Sequence, residues 1–213
     1  MSDAPAPIGI LGGTFDPVHH GHLRLALEVR EALALSEVRL LPSAQTNLRA
    51  GAHASAAQRL AMLQAALGAG YAGLAVDGRE IARGGVSYTI DTLLELRAEA
   101  PARPLCFIVG MDAWNALPRW HRWQELLDYT HLVVASRPGA ELLRHPAFEH
   151  AWAPAPAALL ARPAGLVHVC PIPLLPISST DIRARIAGRR SIDGLVPPAV
   201  AALIARDGLY RAA

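Results

Sequence analysis

The chain reads as an α/β protein on a Rossmann-like, doubly wound parallel sheet, with a small C-terminal helical part. Three observations predict this. Short runs rich in Val, Ile and Leu recur along the sequence. Between them lie longer stretches whose apolar residues return every three or four positions, the helical period. A glycine pair, Gly12 and Gly13, stands directly between the first apolar run and the first helical stretch. Strands that alternate with helices have crossover connections, and these build a parallel sheet.

Taken in order, strands are expected at 8–11, 37–41, 74–77, 105–109, 131–135 and 166–170, and helices at 22–35, 56–67, 88–99 and 120–127. Ser178 and Ser179 precede Thr180 and Asp181, an N-cap followed by a first-turn acid, and open a helix reaching Ala187. A last helix is expected over 198–206. The segment 138–165 is rich in Ala and Pro with weak periodicity. It reads as an irregular surface excursion with room for one helix, and no chemistry is assigned to it.

A length of 213 residues suits a single domain, 1–213, with a well-buried core. The 52% hydrophobic and 18% charged content describes a globular interior rather than a disordered chain. No repeat of fixed period and no linker-like tract divides it. Met1 to Pro7 lacks the basic start of a signal peptide, and no apolar run approaches the roughly 18 residues of a membrane span, so a cytoplasmic protein without membrane contact is expected. Cys106 and Cys170 lie in separate apolar runs with no CxxC neighbour and read as free buried thiols. All 20 residues counted as Lys+Arg are Arg, which excludes lysine catalysis. Charged contacts to phosphate must then come from guanidinium or imidazolium groups. A net charge of +2 with scattered arginines forms no nucleic-acid-binding stripe. The sequence sets no oligomeric state.

The first apolar run leads straight into Gly12, Gly13, Thr14, Phe15, Asp16, Pro17, Val18, His19, His20, Gly21 and His22, and then into an amphipathic helix. Glycines after a parallel strand let backbone approach a ligand closely, and the following helix points free N–H groups at an anion. Phosphate is the natural guest. The pattern is neither GxGxxG nor the Walker loop with its Gly-Lys-Ser/Thr ending. His19 and His22 are three apart at the helix entrance, where both imidazoles can face one anion and a bound polyphosphate favours their charged forms. A bare HxxH also occurs on surfaces and in metal sites, but with no nearby third ligand in sequence a zinc site is disfavoured.

The stretch from Gly12 to His22 resembles the GGTFDPxHxGH signature of the bacterial nicotinate-nucleotide adenylyltransferases, within the HxGH nucleotidylyltransferase superfamily. The superfamily's second signature, ISSTxxR, is matched by Ile177, Ser178, Ser179, Thr180 and Arg183. A Ser/Thr-capped helix start offers hydroxyls and amides to phosphate oxygens, and Arg183 adds a fixed charge one turn later. Between the two signatures, Ser87 to Thr92 is similar to the subfamily's SYTxDT, Gly110 and Asp112 to its strand-end GxD, Trp120 to its ring-stacking tryptophan, and Ser136 to Gly139 to its SRPG.

The resemblance implies adenylyl transfer from ATP to nicotinate mononucleotide, with magnesium carried mainly on the ATP phosphates and no metal-binding side chains. It puts Gly12, Gly13, Thr14, Phe15, His19, His22, Gly110, Asp112, Ser178, Ser179, Thr180 and Arg183 at ATP, with His19, His22 and Arg183 acting on the reacting phosphates. It puts Thr89, Trp120, His121 and Arg137 at the acceptor, the backbone of Thr89 and His121 holding the nicotinate carboxylate. Trp114 and Trp123 read as packing residues. One departure stands out: where the family has Pro-Pro-His-Lys after strand two, this chain has Gln45, Thr46, Asn47, Leu48 and Arg49. Asn47 and Arg49 are the candidates to replace the missing pair, although Arg differs from Lys in geometry and reach. Two alternatives stay open: a related transferase acting on phosphopantetheine or nicotinamide mononucleotide, and a nucleotide sensor without turnover.

Overall fold

A computed structural model describes residues 5–45, 52–68, 70–137, 140 and 142–212. Six strands, β1 (Ile8–Gly13), β2 (Glu37–Pro42), β3 (Leu74–Val76), β4 (Leu105–Gly110), β5 (His131–Ser136) and β6 (Val167–Pro171), form one sheet in the order β3-β2-β1-β4-β5-β6, and every pairing is parallel. The helices are α1 (His20–Ala32), α2 (Ala56–Leu67), α3 (Arg79–Arg83), α4 (Thr89–Glu99), α5 (Met111–Asn115), α6 (Leu126–Tyr129), α7 (Ala157–Leu160), α8 (Ser179–Ala187) and α9 (Pro198–Arg206). This is the doubly wound α/β architecture expected.

The chain winds from β1 outward to β3, returns to β4 beside β1, and winds outward again to β6. The winding reverses between β1 and β4, and in open sheets of this type the crevice beyond the carboxyl ends at that point receives ligands. Gly12 and Gly13 close β1 and Gly110 closes β4, so two sequence-predicted segments meet at this crevice.

Strand residues alternate between two covered faces. On one, Ile8, Ile10, Phe107, Val109, Leu132 and Val134 pack with Ile90, Leu93 and Leu96 of α4 and with Trp114 of α5. On the other, Leu11, Val38, Leu40, Ile108 and Val133 pack with Leu23, Ala26 and Val29 of α1, Met62, Leu63 and Ala66 of α2, Ile182 of α8, and Val200 and Ile204 of α9. Covering both faces explains why the strands read as unbroken apolar runs. Each fully buried aliphatic side chain contributes about 1.5–3 kcal/mol relative to exposure. The edges of α2 are equally well specified: the Ser55 hydroxyl accepts from the Gln58 backbone N–H at 3.2 Å, and the Gln58 side chain accepts from the Ser55 N–H at 2.9 Å.

Several elements differ from expectation. The helix anticipated over 120–127 is broken. Trp120 is extended, Arg122 is left-handed (φ 51°), a 3-10 turn covers Trp123–Glu125, and only Leu126–Tyr129 is α-helical. The apolar spacing there serves separate partners: Trp120 meets Phe107 edge-on at 6.1 Å, whereas Trp123 packs against His145 and Phe148. The short α3 and α5 had too few residues to show a period. The 138–165 excursion carries a 3-10 helix, Pro146–Ala151, and α7.

Trp114, fully buried, anchors that excursion. Its indole N–H donates to the Leu143 carbonyl at 2.6 Å, and its ring contacts His145, Phe148 and Trp152. Trp114→Ala is expected to lower the unfolding free energy by about 3–5 kcal/mol and to admit protease first within 142–165. Urea denaturation and limited proteolysis check this, and a loss below about 1 kcal/mol would show that the excursion does not depend on the indole.

Candidate active site

His19 is the N-cap of α1, with an extended backbone, and its Nδ1 accepts from the His22 N–H at 3.3 Å. Histidine is not among the usual capping residues, which is why the helix begins two residues before its expected start. The two rings stack at 3.6 Å between centroids with 21° between planes, and Phe15 meets His22 edge-on at 5.0 Å. Because Nδ1 of His19 accepts, the proton of its neutral ring sits on Nε2. Burial, reinforced by the neighbouring His20 charge, pushes the His19 imidazole down to about 4, and burial with the adjacent His19 charge pushes His22 well below its ordinary value. Both rings are thus neutral near pH 7 without a ligand. The Nδ1 of His22 is buried with no partner among the described residues. Gly21 has no room for a side chain: a Cβ would lie 3.0 Å from His19 Nδ1 and 3.3 Å from the Ile177 carbonyl oxygen.

Asp16, 4% exposed, is the hub of the first motif. Its carboxylate accepts from the backbone N–H groups of His53 at 2.7 Å and Ala54 at 3.1 Å and from the Tyr210 hydroxyl at 2.7 Å. Burial alone would raise its pKa, but these three donors and the Arg183 charge outweigh burial and hold it below its ordinary value. The C-terminal segment closes on the same motif, since the His20 N–H donates to the Leu195 carbonyl at 3.0 Å.

The second motif docks directly on the first. Ser178 caps α8, its hydroxyl accepting from the Asp181 N–H at 3.1 Å. The Ser179 hydroxyl donates to the Pro17 carbonyl at 2.9 Å, and Arg183 donates through Nη1 to the Asp16 carbonyl at 2.7 Å and through Nη2 to the Thr180 hydroxyl at 3.3 Å. Part of the Ser179, Thr180 and Arg183 bonding capacity therefore holds the motifs together, while Arg183 stays half-exposed with donors to spare.

The residues expected at the acceptor are spread over the start of α4, the stretch after α5 and the end of β5. Thr89 is the first residue of α4, and its neighbour Tyr88 packs against the exposed His121 ring at 4.6 Å. This contact brings the two expected backbone donors, at Thr89 and His121, into one neighbourhood. Trp120 is half-exposed and rests on Phe107, whose ring also fills the space a Cβ on Gly12 would need, 3.3 Å away. The space above Gly110 is open, and Asp112 is exposed in the first turn of α5. Thr14 is half-buried, its carbonyl accepting from Arg59 at 2.7 Å. Arg137 is exposed just past β5 and forms no ion pair among the described residues. Asn47 and Arg49 lie outside the described residues, but their loop starts with Gln45 bridged to Val86, the Ser87 N–H donating to the Gln45 carbonyl at 2.9 Å. Among the described residues no three His, Cys, Asp or Glu side chains are grouped so as to hold a metal ion.

Sequence reasoning missed three residues that shape the site: Asp16 as a hub, Tyr210 at the far end of the chain, and Arg59. Only Arg59 left a signal, because it occupies the buried stripe of α2 together with Met62, Leu63 and Ala66. A charge on an apolar stripe needs an internal partner.

A Rossmann-like sheet with an HxGH turn at its reversal point defines a nucleotidyltransferase, and residues 10–185 match the cytidylyltransferase-like family model. The chain is 48% identical to a protein of Methylococcus capsulatus named probable nicotinate-nucleotide adenylyltransferase, covering 95% of this chain and 99% of that one. It is 49% identical to the Aeromonas hydrophila protein of the same name, covering 97% and 98%. The chain belongs to the bacterial nicotinate-nucleotide adenylyltransferase family. The Plasmodium falciparum nicotinic acid mononucleotide adenylyltransferase, solved in complex with NaAD, shares the fold with a TM-score of 0.74 at 16% identity, over 97% of this chain and 98% of that one.

The depressed Asp16 pKa has a defined sign. Its stabilisation is present above the ordinary carboxylate pKa of 3.8 and disappears as pH falls through the lower folded value. Asp16→Asn is therefore expected to lower stability near neutral pH by about 1–3 kcal/mol and to flatten the loss of stability below about pH 4. Denaturant titrations of both proteins across this range test it; superimposable acid limbs would rule the carboxylate out as the hub.

Proposed function

We propose that the chain transfers AMP from ATP to nicotinate mononucleotide, releasing pyrophosphate and forming nicotinate adenine dinucleotide, a step of NAD biosynthesis. The observation that carries this reading is the docking of the ISST helix on the GGTFDP turn through Ser179 and Arg183, at the reversal point of the sheet. It makes one phosphate-binding surface from segments far apart in sequence. The family relationship supplies the substrate pair.

The acceptor's phosphate is already an anionic nucleophile. One of its oxygens attacks the α-phosphorus of ATP, the bond from that phosphorus to the oxygen bridging to the β-phosphate breaks, and pyrophosphate leaves with the electron pair. Neither a general base nor a covalent intermediate is needed, so the protein's work is alignment and charge stabilisation. In this reading the Gly12–Gly13 turn, Thr14, Phe15, Gly110 and Asp112 seat the nucleotide, and Ser178, Ser179, Thr180 and Arg183 take the triphosphate. Thr89 and His121 hold the nicotinate carboxylate by their backbones while Trp120 offers its face to the pyridinium ring. Arg137 and Asn47 complete the acceptor side. The substrate is MgATP: the site offers imidazoles, hydroxyls and amides to phosphate oxygens rather than a carboxylate cage, which fits an ion held by phosphate oxygens and water that neutralises part of their charge. Two buried free thiols, in strands separated by β5, accord with a cytoplasmic setting.

His19 and His22 act on the phosphates, and the anion supplies the field that reverses their burial-depressed pKa values. Binding of MgATP is then expected to take up protons near pH 6.5, read as a buffer-dependent calorimetric enthalpy. His22→Ala should reduce that uptake and raise the barrier by about 3 kcal/mol, roughly a hundredfold in turnover. Unchanged turnover would remove His22 from the mechanism, whereas slowed turnover without proton uptake would make the rings neutral donors.

The reading itself is tested by pyrophosphate release from MgATP, with nicotinate mononucleotide and nicotinamide mononucleotide supplied separately at equal concentration. A strong preference for the acid is expected. Equal or reversed preference would overturn the acceptor assignment, and no release with either would overturn the reaction.

A further inference from the structure

Arg59 is an unusual side chain for its position. It is 1% exposed and sits on the buried stripe of α2, yet among the described residues it makes no salt bridge. Its guanidinium is spent on three backbone carbonyls: Nη1 donates to Thr14 at 2.7 Å, Nη2 to Ala44 at 2.9 Å and Nε to Ala54 at 3.3 Å. Thr14 belongs to the nucleotide-side turn, Ala44 to the loop after β2, and Ala54 to the approach to α2. The same Ala54 donates its N–H to Asp16, so both backbone groups of that residue are held by buried charges of opposite sign. A buried cation is costly unless each donor is satisfied, and the planar fork of arginine meets three differently directed carbonyls where the point charge of lysine does not.

The link continues beyond the loop. The Ala44 N–H donates to the Ser87 hydroxyl at 2.9 Å, and Ser87 stands two residues before Thr89 at the start of α4. An unbroken hydrogen-bonded path thus runs from Thr14 through Arg59 and Ala44 to Ser87. It joins the strand end that seats ATP to the segment that seats the acceptor, running beside the backbone bonds from the Ser43 N–H to the Gly13 carbonyl at 3.0 Å and from the Ser87 N–H to the Gln45 carbonyl at 2.9 Å.

We propose that Arg59 is a positioning residue that, through Ala44 and Ser87, sets the separation and orientation of the ATP-side turn relative to the acceptor-side segment. The proposal rests on the adenylyl-transfer reading above. Its chemical content is alignment: each substrate binds its own half of the site, and the path keeps the attacking phosphate in line with the α-phosphorus. A misplacement near 1 Å in such a geometry costs about a hundredfold in rate while leaving each binding site intact.

The test uses the full chain with Arg59→Lys, Ser87→Ala and the double variant. Turnover and the KM for each substrate are measured, together with the thermal transition. Arg59→Lys and Ser87→Ala are expected to lower kcat by at least about tenfold, with both KM values within about threefold of the parent. The double variant should be no slower than the slower single variant by more than a few-fold, because both cut one path. A rise in the KM for ATP alone with kcat unchanged would reduce Arg59 to a support of the nucleotide turn and overturn the proposal, as would losses that multiply in the double variant. If Arg59→Lys does not fold, Ser87→Ala decides, since an unchanged kcat there overturns the coupling. Failure of the adenylyl-transfer reading is distinguishable, because the parent protein would then release no pyrophosphate with nicotinate mononucleotide.

Discussion

The turn after β1 depends on Asp16, whose buried carboxylate and backbone carbonyl tie distant segments of the chain to it. Four parts of the chain converge on this one residue: the approach to α2 through His53 and Ala54, the C-terminal segment through Tyr210, α8 through Arg183 on its carbonyl, and its own turn after β1. A buried ion requires full satisfaction, and each donor that satisfies it draws its own segment into place. Satisfaction of the charge and assembly of the site are therefore the same event. The stacked histidines at the start of α1 are held by the result, since α1 begins three residues beyond the Asp16–Pro17 peptide.

The site is divided by the sheet's reversal point. On one side the turn after β1 and α8 form a surface of amides, hydroxyls, imidazoles and one guanidinium. On the other, Tyr88 just before α4 packs on His121 and Trp120 packs on Phe107, forming an aromatic flank. Fully buried apolar layers on both faces make this platform rigid, and rigidity matters because the proposed chemistry is alignment rather than proton transfer or covalent attack. The neutral state of the two stacked imidazoles fits that design. Close stacking of two cations would be unfavourable, and burial holds both rings discharged.

What was legible in the residues follows from local physics. The β1 turn and the start of α8 each carry a short-range signal, glycines after an apolar run and a Ser-capped acidic turn, and the span of α2 follows from its apolar period. The parallel sheet was legible because strands covered on both faces must be apolar throughout. The region around Trp120 was not legible, because apolar spacing of three or four is indifferent to whether one helix or several single turns present the side chains. Trp120 and Trp123 face different partners, Phe107 and the His145–Phe148 pair, and the chain breaks at left-handed Arg122 to serve both.

The chain alone thus carries the fold class and the two motifs that meet at the crevice, since these depend on residue type and spacing within a turn or two. Only the folded molecule decides which distant groups complete those motifs. Tyr210 reaches Asp16 across nearly the whole sequence, Ser179 meets Pro17, and Arg59 meets Thr14 and Ala44. None of these pairings has a local signature, because each is selected by the need to satisfy a buried polar group with whatever donor the packed helices bring within reach.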